Sequence, residues 1–64
     1  MDAFELIYKD NEYTAYKDSA GNILVYQFTW LFFIITGKEH IIPIAFNFVS
    51  EHHFDIMRKV LKND

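Results

Sequence analysis

The side chains of this chain with reactive chemistry to offer are three histidines with acids beside them. They occur as Glu39 with His40, and as Glu51, His52 and His53 followed by Asp55. These are the donor types of a zinc or acid–base site. Zinc requires three or four ligands converging at about 2.1 Å for nitrogen and oxygen. Successive helix residues point about 100° apart, so His52 and His53 cannot grip one ion together, whereas Glu51 and Asp55, four apart, share a face. A metalloprotease helix carries two histidines four apart with a glutamate after the first, and that spacing does not occur here. The cluster reads as solvated residues at a helix start, with His53 nearest the apolar stripe and partly buried. No metal or other cofactor is expected.

Nucleophilic chemistry has no better foothold. Cysteine is absent, Ser19 belongs to a turn and Ser50 to a helix cap, and Asp10 and Glu12 flank another turn. A body of 64 residues has little room for a pocket of several hundred Å3. The expectation is a protein that is not an enzyme.

Polyanion binding is tested by charge. Tyr8, Tyr13, Tyr16, Tyr26 and Trp30 on an open sheet are able to stack bases, but the net charge is -3 and only Arg58, Lys59 and Lys62 cluster. Cations at a helix C-terminus have a sufficient reason in the dipole. Asp2, Glu5, Asp10, Glu12 and Asp18 crowd the first third of the chain, with Lys9 and Lys17 among them. That density is modest for a mimic of nucleic acid. A nucleic-acid-associated accessory protein, or an acidic mimic that blocks one, is the alternative reading.

The elements that position these residues follow from periodicity. The chain reads as one domain over residues 1–64, 52% hydrophobic and 19% aromatic, which offsets its small size and its lack of disulfides. Phe4, Leu6 and Tyr8 alternate with Glu5, Ile7 and Lys9 as a half-buried strand. A second strand over residues 12–17 turns Tyr13, Ala15 and Lys17 one way and Glu12, Thr14 and Tyr16 the other. Residues 18–22, Asp-Ser-Ala-Gly-Asn, form a tight hairpin turn with the glycine at a positive φ.

The apolar stretch from 23 to 49, interrupted by Gly37, Lys38, Glu39 and His40, holds most of the core. A membrane helix is disfavoured because a span of about 20 residues would take in Gln27 and Thr29 or the charged interruption. Residues 23–36 are expected as one long strand, bent or bulged near 27–29, pairing first with 12–17 and then with 41–49. Ser50 caps a helix of about twelve residues, with Phe54, Met57, Val60 and Leu61 as its apolar stripe. The expected fold is α+β: a small twisted antiparallel sheet of about four strands, in β-β-β-β-α order, with the C-terminal helix on one face.

If Gly37, Lys38, Glu39 and His40 form a four-residue connection, Thr36 lies opposite Ile41. Leu31, Phe33 and Ile35 then share a face with Ile42, Ile44, Phe46 and Phe48, and Trp30, Phe32 and Ile34 share the other with Pro43, Ala45 and Asn47. One helix covers one face, so the second must meet a further surface or close a small second core under residues 4–8. Pro43 places its strand at an edge. The functional expectation is a protein-binding domain that self-associates as a homodimer or modulates, and inhibits, a partner protein. Its partner-binding residues are Trp30, Phe32, Ile34, Pro43, Ala45 and Asn47, with Trp30 and Phe32 as anchors. Acids at the N-terminus, where a secretory leader carries basic residues, favour a cytoplasmic location.

Overall fold

The computed structural model describes residues 4–44 and 51–63. Five strands, β1 (Glu5–Lys9), β2 (Tyr13–Lys17), β3 (Ile23–Gln27), β4 (Trp30–Thr36) and β5 (His40–Pro43), precede one helix, α1 (Glu51–Lys62). The sheet is an antiparallel meander in the order β1-β2-β3-β4-β5. It is therefore an α+β fold with one strand more than periodicity alone suggests.

The additional strand arises within the apolar run 23–36. This run is a hairpin, with β3 and β4 paired to each other and Gln27 opposite Trp30. The reversal occupies Phe28 and Thr29, with Phe28 at φ 56°. Two-residue hairpins with a positive φ at the first central position normally place glycine there, so an aromatic residue gives no sign of the turn in the sequence. Phe28 is held by its N–H, which donates to the Glu12 carbonyl at 2.8 Å, and by the Gln27 side-chain amide on the Glu12 carboxylate.

The β1–β2 and β2–β3 turns rest on aspartates. Asp18 accepts from the Ala20 and Asn22 amides at 3.0 and 2.9 Å, with Gly21 at φ 89°, as the turn chemistry of residues 18–22 requires. Asp10 accepts from the Glu12 and Tyr13 amides at 2.8 and 2.6 Å.

The core lies between one sheet face and α1. Tyr13, Ala15, Ile23, Val25, Phe33 and Ile35 are buried from the sheet, and Ile56 and Val60 from the helix. Each large side chain so placed contributes about 1.5–3 kcal/mol. The helix turns Ile56 and Val60, four apart, into the centre, with Met57 and Leu61 beside them. Phe54, expected in the stripe, lies at its flank and is exposed. The Ser50 cap lies outside the described residues. No helix among the described residues is long and apolar enough to cross a membrane.

Candidate binding face of the sheet

Register decides which side chains share a face. Across all five strands Leu6 pairs with Tyr16, Tyr16 with Leu24, Leu24 with Ile34, and Ile34 with Ile42. Paired residues in a sheet point to the same side, and this row alternates with the buried row Ala15, Val25 and Phe33. It therefore lies on the face opposite α1. A second row, Thr14, Tyr26 and Leu31, runs beside it. Among the described residues no element covers this face: Leu6 is 52% and Ile42 41% exposed at its ends, and Tyr16, Leu24, Tyr26, Leu31 and Ile34 are half-buried by one another.

The aromatic part has a defined shape. Tyr16 and Tyr26 meet edge to face, with ring centroids 5.9 Å apart. Together with Thr14, Phe28 and Thr29 they line an open hollow of about 300 Å3. Phe28, at the tip of the β3–β4 turn, is 67% exposed.

Two bulges and one short turn set this arrangement. In β1, Leu6 pairs with Tyr16 and Tyr8 with Ala15, leaving Ile7 as an extra residue. Both Ile7 and Tyr8 then pack toward the core, so strict alternation fails in this strand. In β4, Val25 pairs with Phe33 and Tyr26 with Leu31, leaving Phe32 extra. The β4–β5 connection is three residues, because Thr36 pairs with His40. Gly37 at φ 60° and Lys38 at φ 71° reverse the chain in that short span. A positive φ at lysine has no signature in residue type.

These features correct the expected face. A one-residue change of register exchanges the two sides of a strand, so Ile42 lies on the open face and Pro43 is in register with buried Phe33. Leu31 likewise joins the open face through its pairing with Tyr26. Ile34 is on the open face as expected. Phe32 instead packs toward the core, its ring centroid 4.8 Å from that of His53 on α1. Trp30 pairs with Gln27, in the row of Tyr13, and is 75% exposed. Trp30, Phe32, Ile34 and Pro43 therefore do not form one surface, and Ala45 and Asn47 lie outside the described residues, as do Phe46 and Phe48. Sequence reasoning puts Leu31 and Ile42 on the opposite face, assigns Leu6 and Leu24 to no binding face, and counts Tyr16 and Tyr26 only among the base-stacking aromatics.

Both sheet edges are modified. The β1 edge carries the Ile7 bulge, and the β5 edge carries Pro43. The Ile44 N–H donates to the Phe32 carbonyl at 3.1 Å, a bond that directs the proline nitrogen away from β4 to the free edge, where it has no proton to offer.

The histidines do not converge. His40 opens β5 opposite Thr36, whose hydroxyl is 3.4 Å from Nδ1. His52 and His53 lie in the first turn of α1, with His52 5.6 Å from the Tyr13 ring and the half-buried His53 on Phe32. Among the described residues no group of three or more histidine, aspartate or glutamate side chains is placed to hold a metal ion. The Tyr13 hydroxyl is buried without a hydrogen-bond partner; burial, then the charges of Glu12 and Asp10, push its pKa up.

No family model, curated protein or solved structure matches this chain.

Proposed function

We propose that this chain is a small non-enzymatic binding protein that acts by covering apolar protein surface with the open face of its sheet. The observation that carries this reading is the unbroken row Leu6, Tyr16, Leu24, Ile34 and Ile42, which crosses all five strands on the side away from α1. An antiparallel sheet normally has one packed face and one polar, solvated face. Here the second face is aliphatic and aromatic, and contiguous apolar surface of that kind marks interaction sites.

Charge separates this reading from nucleic-acid binding. The tyrosines resemble a stacking platform, but the one Lys or Arg whose strand register puts it on the open face is Lys9, opposite Thr14. Affinity for a phosphate backbone needs several such cations.

The test combines anilinonaphthalene sulfonate, a dye that reports exposed apolar surface, with solution mass. A folded monomer whose open face takes up dye, and loses that uptake in Leu24→Lys, supports the reading, as does an oligomer that dissociates in the same variant. A monomer that takes up no dye overturns it. Salt-sensitive binding of a single-stranded oligonucleotide that survives Leu24→Lys would favour the nucleic-acid alternative.

A further inference from the structure

Resting on the binding role just proposed, we infer that the occupant of the open face is a second copy of this chain, stacked sheet to sheet about a two-fold axis that passes by Leu24. The central row holds no charged side chain; the ionisable groups of basic type that register on this face, Lys9 and His40, stand at its opposite ends, beside Thr14 and Thr36. A charged partner surface has nothing to pair with across the middle. An equally neutral apolar sheet face has no such deficit, and this chain supplies one. The central row carries none of the side chains that make up the net charge of -3, and exposed charges more than about 8 Å apart are largely screened at physiological salt.

Area is sufficient. Five strands about 4.8 Å apart, each about five residues long at about 3.3 Å per residue, present roughly 400 Å2 in projection. Two such faces remove about 800 Å2, and the exposed Phe28 and Ile44 at the margin bring the total toward about 1,000–1,200 Å2, the lower range of specific interfaces. Continuation of the sheet edge to edge is the competing mode. It meets the Ile7 bulge on β1 and the protonless nitrogen of Pro43 on β5, two features that discourage strand addition. The face is left as the route to self-association.

Leu24 is central across the sheet, because β3 is the third of five strands; along β3 (Ile23–Gln27) it is the second residue, with Tyr26 as the next side chain on the same face. A two-fold axis in the interface plane that runs along β3, or along the row from Leu6 to Ile42, sets Leu24 of one copy against Leu24 of the other. Packed sheets lie about 10 Å apart, too far for a direct disulfide but within reach of a short bifunctional thiol reagent.

The experiment is sedimentation or light scattering from about 100 to about 1 micromolar protein, with two variants. Wild type is expected at twice the 7.7 kDa chain mass at the upper concentrations. Leu24→Lys is expected to weaken association at least about 100-fold, as charge burial on an apolar contact demands, while keeping a cooperative unfolding transition. The chain has no native cysteine, so Leu24→Cys offers a single thiol and tests the geometry without a buried charge. It is expected to cross-link into a covalent dimer, whereas Lys62→Cys, on the exposed end of α1, is not. A wild-type monomer at about 100 micromolar, or a dimer that cross-links at Lys62 and not at Leu24, overturns the inference. A monomer that takes up dye in its open face overturns self-pairing and leaves the broader binding role standing; a monomer that takes up none removes both.

Discussion

At the scale of single residues, two side chains are held against their own preferences. The Tyr13 ring fills the core at 1% exposure while its hydroxyl finds no partner. A buried polar atom left unsatisfied costs about 1–3 kcal/mol, so Tyr13→Phe is expected to leave stability unchanged or raise it by about 1 kcal/mol, read from the urea midpoint at constant slope. A loss of more than about 1 kcal/mol would show that the hydroxyl has a role in the fold. Phe28 sits at φ 56°, where a side chain costs about 1–2 kcal/mol, and its ring is largely in solvent. Phe28→Gly relieves that strain, partly offset by the entropy of glycine in the unfolded chain. A gain of up to about 1 kcal/mol is expected, visible as a raised Tm. Strain kept at an exposed aromatic beside the Tyr16 and Tyr26 hollow is consistent with a contact role, so the same variant should weaken association if the turn borders the interface.

At the scale of elements, two turn carboxylates are expected to contribute to the fold's dependence on pH. In Asp18 the Asn22 backbone amide is the main cause of a pKa below the ordinary carboxylate value, with the Asn22 side chain and the Ala20 and Gly21 amides adding to it. For Asp10, burial acts upward but is outweighed by the Tyr13 amide, the Tyr8 hydroxyl, the Glu12 amide and the charge of Lys59. Both carboxylates have folded-state values below their unfolded ones. Their stabilising effect is thus complete above the unfolded value of about 3.9 and disappears as pH falls through the lower folded value. Unfolding midpoints are expected to be flat from about pH 7 to about pH 5 and to fall below about pH 4. Asp10→Asn and Asp18→Asn should each reduce that fall, and an unchanged acid limb in the double variant would assign the transition to other groups. Much of this level is legible in the sequence. Residues 18–22 announce their turn through Asp18 and Gly21, and α1 announces itself through apolar spacing. The β3–β4 hairpin is hidden because Phe28 and Thr29 lack turn chemistry, so two strands look like one.

At the scale of the whole molecule, one helix and five strands leave, among the described residues, one face covered and one uncovered. The association proposed for the uncovered face is apolar, so its strength is expected to change less than about threefold between about 50 and about 500 millimolar salt. A protein making several phosphate contacts instead loses affinity by orders of magnitude over a similar range. Dilution series at the two salt concentrations distinguish these outcomes, and a steep decline would point back to the nucleic-acid alternative.

By itself the sequence determined the α+β class, the antiparallel sheet, the extent of α1, the edge position of Pro43, and an excess of apolar side chains over what one helix covers. These follow from interactions within a few residues: alternation, helical spacing, and the conformational freedom of glycine. Tertiary structure alone decided which apolar residues form the second face. Face assignment depends on the parity of turn lengths and bulges counted along the chain, and each single-residue step reverses it. Lys38 in a left-handed conformation shortens one turn by a residue, and the extra residues Ile7 and Phe32 shift two strands. Each of those choices is settled by how the complete sheet packs on α1, because burying Val25, Phe33 and Ile35 together outweighs the local cost of a strained turn or an interrupted ladder.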